Sequence, residues 1–369
     1  MIKTPQGYAA FVPFSLPPKL DLKSHLSDLS KADRLVGELR GVARNLPNPH
    51  LLIALFMRRE AVLSSRIEGT QASLSDLFFF EASGEQNPEV PDVHEVANYV
   101  RALEYGLKRM EKLPLSLRLI REMHAELMRG VRGEHLTPGE FRRSQNWIGP
   151  PGCTFTEAVF VPPPVEEMKG SLDAFEKYLH EPTTLPPLVR FALVHYQFEA
   201  IHPFLDGNGR IGRLLTTLLL CKEGILPQPL LYLSAYFETK RQEYYKLLLD
   251  VSRHGEWNAW IQFFLLGVSE QSQDSIARTE KLLELWKSYR KRLQKGPATA
   301  LQLVDHLFSH PALSISQAAS RLGVTFPGAQ KNIERLVGEG ILKEATGRQR
   351  YRVYSAPEII RIVEAEKMD

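Results

Sequence analysis

Apolar residues recur at helical spacing along most of the chain, and this pattern predicts a mainly α-helical protein. Between residues 26 and 70 the pattern is interrupted at 45–49 and resumes in a second helix. That helix is expected to end at Gly69, because glycine readily takes the left-handed conformation that terminates helices. Further helices are predicted over 93–111, 116–130, 188–200, 210–222 and 271–295, and a helical region over 240–267.

Two regions depart from the helical pattern. The residues up to about Leu22 are rich in proline and aromatic side chains, which favours an extended arm. Residues 139–164 are rich in turn formers, and the short runs 154–156 and 158–161 predict a small β-hairpin. A polar, acidic loop is expected over 81–91.

The last part of the chain, 297–369, predicts three helices followed by two strands, the order of a winged helix-turn-helix. It contains nine Lys or Arg residues against eight Asp or Glu residues, whereas DNA-binding domains usually carry a basic surplus. The sequence therefore favours protein docking or dimerisation there over DNA binding. Candidate DNA contacts are Gln330, Lys331, Asn332 and Arg335 on the third helix and Arg348, Arg350 and Arg352 in the wing.

Composition excludes several classes of protein. The 369 residues are 43% hydrophobic and 24% charged, with a formal net charge of +3, which predicts two or three ordinary globular domains without an overall charge suited to nucleic acid. Two isolated cysteines, Cys153 and Cys221, argue against a disulfide scaffold or a zinc site. No apolar run is long enough to span a bilayer and no secretory signal is recognisable, so we expect a cytoplasmic protein without a membrane partner.

The run 202–213, HPFLDGNGRIGR, carries the chemical signal. Gly207 and Gly209 allow consecutive backbone N–H groups to converge at the start of a helix, where the helix dipole favours an anion. Arg210 and Arg213 lie three residues apart and so share one face of that helix. These features predict a polyphosphate-binding site.

Two further side chains extend that prediction to catalysis. Asp206 is a hard oxygen ligand suited to Mg²⁺ or Mn²⁺, and His202 is placed to take a proton from a nucleophile. Each residue alone has an ordinary structural explanation: a glycine turn, a turn-forming aspartate, a buried histidine. Their joint occurrence within twelve residues favours the functional interpretation.

The same run matches the HPFx(D/E)GNGRxxR signature of the Fic family, and the resemblance to the Fic core covers about 115–265. The resemblance implies transfer of AMP, or of another phosphate-containing group, from ATP to a protein hydroxyl. It implies that His202 is the general base and that Asp206 holds the metal ion on the phosphates. It further implies phosphate contacts from Gly207, Asn208, Gly209, Arg210 and Arg213.

The resemblance also implies roles outside the loop. Tyr244 and Tyr245 would border the adenine, and Ser252 stands where some relatives have an asparagine that contacts the base. The hairpin would act as a flap that aligns a target segment by strand addition, although an ordinary surface hairpin is an equal alternative. The flap residues are Phe155, Thr156, Val159 and Phe160. His195 and Glu199 are interpreted as structural residues, because the HExxH pattern is absent.

A second motif lies upstream of the core. Residues 64–69, SSRIEG, fit the (S/T)xxxE(G/N) pattern of the Fic inhibitory helix. The resemblance implies that Glu68 pairs with Arg213 in place of the γ-phosphate, with Ser64 adding a hydrogen bond and Gly69 completing the motif. The alternative is a helix end with a solvated glutamate before a capping glycine.

The sequence therefore predicts four regions: an arm and inhibitory helical region (1–112), a Fic core (113–268), a connector helix (269–296) and a winged helix (297–369). The expected function is that of a protein adenylyltransferase that modifies another protein or itself and is inhibited by Glu68. The alternatives left open are a nucleotide-sensing DNA-binding regulator and an enzyme that removes AMP with the same site. A symmetric homodimer is expected.

Overall fold

The computed structural model describes residues 1–4, 7–44, 50–83, 92–150, 152–348 and 350–366. The predicted break at 45–49 and most of the predicted acidic loop, 84–91, lie outside these ranges. The described part contains fifteen α-helices and five short strands. The helices are α1 (Leu26–Arg44), α2 (His50–Ile67), α3 (Leu74–Ser83), α4 (Val93–Arg109), α5 (Leu117–Leu127), α6 (Val165–His180), α7 (Pro187–Ile201), α8 (Asn208–Lys222), α9 (Ser234–Thr239), α10 (Arg241–His254), α11 (Trp257–Arg292), α12 (Ala298–Leu307), α13 (Ile315–Leu322), α14 (Phe326–Gly338) and α15 (Pro357–Glu364). The strands are β1 (Ile2–Lys3), β2 (Ala9–Ala10), β3 (Ala312–Ser314), β4 (Lys343–Glu344) and β5 (Val353–Ser355).

The chain forms two compact units, each built from two separate segments. The first unit comprises Met1–Gly37 with Asn98–Gln271, and the second comprises Glu38–Ala97 with Ser272–Asp369. Helices α1, α4 and α11 each contribute residues to both units. The four-region division made from the sequence stays a prediction. Among the described residues no helix is long and apolar enough to cross a membrane.

The centre of the first unit is the helix pair α7 and α8, with α6 and α10 packed on α7 and α5 packed on α8. Nearly every residue of α7 and α8 is buried, polar residues included, so these helices are enclosed on all sides rather than exposed along one face. Gly212 allows close approach, because a Cβ atom there would lie 2.2 Å from Oε1 of Glu199. The N-terminal arm pairs β1 with β2 and then donates the Phe11 N–H to the Val161 carbonyl at 2.9 Å.

The second unit contains the predicted three helices and strand pair near the C-terminus. Helix α14 packs on α12 and α13, and β5 pairs antiparallel with both β3 and β4. Strand β3 was not expected from the sequence; α3 packs against it, and α15 packs on α2 and α3. Helix α2 ends at Ile67, and Gly69 has φ +100°, which agrees with the predicted glycine stop.

The predicted helical region over 240–267 consists of two helices. Helix α10 ends at His254, where Gly255 takes the left-handed conformation with φ 71° and donates its N–H to the Val251 carbonyl. Helix α11 then runs for 36 residues, so the predicted connector helix over 271–295 is the C-terminal part of a longer element. Helices α3, α6, α9 and α15 were not predicted.

Candidate active site

His202 directly follows α7 and takes a left-handed conformation, with φ 49° and ψ 60°, that turns the chain out of the helix. Its N–H still bonds the Phe198 carbonyl, which makes it the C-terminal cap of α7. Ring atom Nδ1 lies 3.3 Å from the Glu199 carbonyl oxygen. Because a carbonyl only accepts hydrogen bonds, Nδ1 carries the hydrogen there and Nε2 keeps the lone pair that a general base needs.

The loop between α7 and α8 is held by side chains that turn inward. Phe204 is fully buried and stacks on the His124 ring, with centroids 3.8 Å apart. The Asn208 side chain binds both backbone groups of Phe204, accepting from its N–H and donating to its carbonyl, each at 2.8 Å. The amide of Asn208 therefore braces the loop, which leaves its backbone N–H as the group suited to a phosphate.

Gly207, with φ 77°, is the N-cap residue directly before α8 and has no side chain to cap the helix. The first backbone N–H groups of α8 therefore meet at a helix N-terminus, where the dipole favours negative charge. The guanidinium-bearing side chains of Arg210 and Arg213 are both almost fully buried on this helix. The structure thus brings the predicted phosphate-binding residues together at the start of α8.

The Asp206 carboxylate could hold a metal ion that also binds the phosphates of a ligand. One carboxylate oxygen of Asp206 accepts the Gly207 N–H at 2.6 Å and lies 3.6 Å from Nη2 of Arg210. The Asp206 side chain keeps 37% exposure. Among the described residues no group of three or more His, Cys, Asp or Glu side chains could form a metal cage. A single half-exposed carboxylate fits Mg²⁺, which usually binds through one or two carboxylates plus substrate phosphates.

Arg142 clamps the loop and was not recognised from the sequence. Its side chain is 1% exposed and donates to the carbonyls of His202 at 3.0 Å, Ser144 at 3.2 Å and Pro163 at 2.5 Å. Its backbone N–H bonds the Pro203 carbonyl at 2.9 Å. Burial lowers the pKa of Arg142 to about 10, so the guanidinium stays charged at neutral pH.

His124 is a second loop support that the sequence did not indicate. Its Nδ1 accepts the Gly139 N–H at 2.8 Å, so its Nε2 carries the hydrogen and donates to the Asp206 carbonyl at 3.0 Å. Burial lowers the pKa of His124 to about 4, which keeps the ring neutral. The only sequence signal was a histidine on the apolar face of a predicted helix, which is too common to single out a residue.

Comparison with known proteins decides the family. A Fic/DOC family model matches residues 114–220, and a model of the Fic/DOC family N-terminal region matches 26–108. The chain belongs to the Fic/DOC family. Its predicted mainly α-helical, Fic-type fold is confirmed by the similarity to a solved Fic family protein from Desulfovibrio desulfuricans G20. The two structures superpose with a TM-score of 0.59 at 20% sequence identity, over 92% of this chain and 98% of that chain. Fic-1 (aa134–508) from C. elegans gives a TM-score of 0.51 at 23% identity, covering 72% of this chain and 74% of that chain.

Curated relatives match a shorter stretch of this Fic chain. The protein adenylyltransferase Fic of Drosophila erecta is 28% identical over 177 residues, which is 47% of this chain and 32% of the relative. The protein of the same name from Drosophila grimshawi is 29% identical over 177 residues, 47% of this chain and 33% of the relative. The match thus spans about a third of the length of these relatives.

The interpretation of His195 as a structural residue of the Fic core is confirmed. Its ring is fully buried, with Nε2 2.8 Å from the Tyr244 hydroxyl and Nδ1 3.1 Å from the Gly212 carbonyl. Because the carbonyl only accepts, Nδ1 donates to it and the hydroxyl of Tyr244 donates to Nε2. Burial lowers the pKa of His195 to about 3, so it stays neutral.

The adenine-bordering role predicted for Tyr244 is wrong. Tyr244 is 1% exposed and stacks on Phe237 with centroids 4.6 Å apart, so its ring belongs to the core. Tyr245 is 43% exposed, and its role beside the adenine stays a prediction. The hydroxyl of Ser252 lies 2.9 Å from that of Tyr196, which places Ser252 in a side-chain pair within the first unit.

The predicted flap hairpin has a different structure. Residues Phe155–Glu157 form a 3-10 helix, because the Glu157 carboxylate accepts both the N–H and the hydroxyl of Thr154 and turns the chain there. Thr156 thus lies in a helical turn rather than in a strand. The partner of Phe160 is Ile148, in an isolated antiparallel bridge with the Ile148 N–H bonded to the Phe160 carbonyl at 2.8 Å. Val159 beside it is 47% exposed.

The inhibitory motif belongs to the second unit, whereas the 202–213 loop belongs to the first. Ser64 is buried in α2, and Glu68 lies in the exposed turn that follows the helix. The Glu68 N–H bonds the Ser65 carbonyl at 3.0 Å, and Gly69 continues the turn. Pairing of Glu68 with Arg213 stays a prediction.

Proposed function

We propose that this protein is an adenylyltransferase that transfers AMP from ATP to a hydroxyl group of a protein substrate. The observation that carries the proposal is the placement of His202 and the N-terminus of α8 at two ends of one clamped loop. A base with its lone pair on Nε2 and a cluster of phosphate-binding groups are the two requirements of this chemistry. The names of the Drosophila relatives support the same reaction class.

In the proposed reaction the substrate hydroxyl gives its proton to Nε2 of His202. The hydroxyl oxygen forms a bond to the α-phosphorus of ATP, while the bond from that phosphorus to the bridging oxygen of the β-phosphate breaks. Pyrophosphate leaves and AMP stays on the protein hydroxyl. The Glu199 carbonyl holds the imidazole at Nδ1 and also stabilises the positive charge that the ring acquires.

The residues of α8 would hold the polyphosphate in line with His202. The backbone N–H groups at Asn208 and Gly209 would donate to phosphate oxygens, and the buried guanidinium groups of Arg210 and Arg213 would offset the phosphate charge. Asp206 would hold Mg²⁺ or Mn²⁺, and such an ion supplies charge neutralisation on the phosphates when bound. Positioning and charge stabilisation are the main contributions that proteins make to phosphoryl transfer.

We propose that Glu68 restrains this reaction by pairing with Arg213 and so competing with the γ-phosphate. The support is positional: Glu68 follows the end of α2 in an exposed turn, one helical turn beyond Ser64, and carries the only carboxylate of the motif. A carboxylate and a phosphate oxygen are alternative ligands for one guanidinium.

The test is transfer of radiolabel from α-³²P-ATP to protein in the presence of Mg²⁺. Glu68→Gly should increase labelling at least tenfold, and His202→Ala should abolish it in both backgrounds. His180→Ala removes an exposed histidine of α6 and serves as the matched control, with unchanged labelling expected.

γ-³²P-ATP supplied in place of the α-labelled nucleotide should leave no label, because pyrophosphate departs. Label from the γ position would show phosphoryl transfer and overturn the proposal. Label from neither position in a variant that binds ATP would favour a nucleotide sensor or AMP removal. Equal labelling by the unmodified chain and Glu68→Gly would overturn the inhibitory role alone.

A further inference from the structure

A groove in the second unit lies between the first turn of α14 and the loop that joins β4 to β5. Its volume is about 730 Å³. One wall carries Phe326 and Gln330 of α14, and the other carries three arginines of the loop. The complete lining is Ala82, Ser83, Ser314, Ile315, Ser316, Phe326, Gln330, Arg348, Arg350, Tyr351, Arg352, Val353 and Tyr354.

The groove is basic even though the C-terminal region is nearly neutral overall. Arg348, Arg350 and Arg352 line it, and its described lining includes no Asp or Glu. Three acidic side chains of the region bind partners outside the groove lining, whereas Glu334 accepts from the groove residue Gln330 at 2.8 Å. Asp305 binds Arg290 at 2.7 Å, Glu358 accepts from Tyr289 at 2.7 Å, and Glu364 accepts from Ser75 at 2.8 Å.

The loop is shaped to present its basic and aromatic side chains. The Glu344 carboxylate accepts the backbone N–H groups of Thr346 and Gly347 at 2.8 and 3.0 Å, which folds the base of the loop. Arg352 donates to the Arg348 carbonyl at 3.0 Å. Tyr351, at φ 54°, is 85% exposed. A tyrosine in a left-handed conformation is uncommon, and at this exposure the ring of Tyr351 has no packing role in the unit.

The first turn of α14 is also open to a ligand. Thr325 caps the helix by accepting the Gly328 N–H, and the next residue, Phe326, is 50% exposed. Gln330, one turn further, is exposed and lines the groove. Helices α13 and α14 are joined by a short turn at Gly323, the arrangement in which the N-terminal residues of the second helix contact base edges.

We propose that this groove binds duplex DNA, with the first turn of α14 in the major groove and the three loop arginines on the phosphate backbone. The charges of the C-terminal region nearly cancel in sum, and on that basis the sequence favoured protein docking. In the structure, however, the positive charges of three arginines lie together in the groove lining, which contains no described carboxylate. Asn332 does not take part, because its amide is buried and donates to the Gly328 carbonyl at 2.9 Å. Phosphate contacts position such a module, and base contacts of the helix specify sequence.

The experiment is fluorescence anisotropy of a labelled 24-base-pair random-sequence duplex with the full chain, at about 50 mM and 200 mM salt. The test variant is Arg348→Ala, Arg350→Ala and Arg352→Ala together. The control variant is Arg143→Ala, Lys169→Ala and Lys246→Ala together, three cations that are 86%, 62% and 73% exposed in the first unit. Both triple variants lower the formal net charge from +3 to 0, so the total charge removed is the same in the two.

The unmodified chain should bind the duplex with a dissociation constant on the order of micromolar at the lower salt concentration. The loop variant should lose on the order of 30-fold in affinity, and its salt slope should fall by about 2.7 because about three phosphate contacts are removed. The control variant should bind within about threefold of the unmodified chain. Thermal melting of both variants checks that each remains folded.

Three outcomes would overturn the proposal: no duplex binding at either salt concentration, equal losses in the two triple variants, or binding of the single strands as tight as that of the duplex. The last outcome would indicate a general polyanion surface. Gln330→Ala provides a second test on the helix side. In a selection from random duplexes the unmodified chain should enrich a motif, and this variant should weaken the enrichment while keeping the salt slope.

Discussion

Replacing Arg142 tests whether the 202–213 loop depends on a buried clamp. Arg142→Ala removes the donor to three carbonyl oxygens, those of His202, Ser144 and Pro163. Hydrogen bonds from a charged donor contribute about 1.5–3 kcal/mol each, or about 4.5–9 kcal/mol for the three. The opposing contribution is the desolvation of the guanidinium. Burial lowers the pKa of Arg142 from 12.5 to about 10, and that change corresponds to about 3 kcal/mol.

The difference between the two contributions predicts a net loss of about 1.5–6 kcal/mol in the free energy of unfolding of the first unit, and about 3 kcal/mol is a representative value. That is a large share of the 5–15 kcal/mol typical of a domain. The neighbouring Arg143 offers a matched control, because it is 86% exposed and only pairs with Glu140 on the surface. Arg143→Ala should change stability by less than about 0.5 kcal/mol.

Urea denaturation followed by tryptophan fluorescence measures this loss, since three of the four tryptophans, Trp147, Trp257 and Trp260, lie in the first unit. A loss of about 3 kcal/mol should lower the urea midpoint by about 1–1.5 M. AMP transfer should fall together with it, because the His202 carbonyl loses its anchor. Equal midpoints for the Arg142 and Arg143 variants would refute the clamp.

Three further predictions concern the core and the nucleotide site. Gly212→Ala should destabilise the first unit by about 1–3 kcal/mol in thermal melts, because the new Cβ would lie 2.2 Å from Glu199 Oε1. Gly170→Ala in α6, where a Cβ would meet open space, should instead stabilise the unit by about 0.5–1 kcal/mol. Lowering the pH from 6.5 to about 4 should destabilise the fold, because His124 takes up a proton in the unfolded chain but stays neutral in the folded protein. His124→Gln should reduce the dependence of the unfolding free energy on pH by about 1.4 kcal/mol per pH unit, measured by urea titrations at each pH. Tyr245→Ala should weaken ATP binding at least fivefold by calorimetry, whereas Tyr244→Phe should reduce stability by about 1–3 kcal/mol and leave ATP affinity unchanged.

Features that depend on neighbours in the chain were predictable from the sequence. The helical class follows from apolar periodicity, and the end of α2 near Gly69 follows from the conformational freedom of glycine. The 202–213 loop was predictable for the same reason, because a nest, a helix start and two arginines on one face are all set by spacing within twelve residues. Within the predicted helical region over 240–267, the break at Gly255 was not predicted.

Features that depend on residues far apart in the chain were decided by the tertiary structure. Arg142 and His124 reach the loop from 60 and 82 residues away, and no local pattern marks either of them. Of two adjacent tyrosines, packing buries Tyr244 and leaves Tyr245 exposed, because neighbours on a helix point about 100° apart.

The sequence by itself determined which chemical groups the protein has and in which local arrangement: a helical fold, and a loop that places a histidine, a glycine turn and two arginines within twelve residues. Only the tertiary structure decided which distant groups hold that loop and which side of the second unit is basic. Charge counted along 297–369 nearly cancels, yet the groove lining contains Arg348, Arg350 and Arg352 without a carboxylate. The physical reason is that an electrostatic field depends on where charges lie in space, whereas a sequence sum has no position.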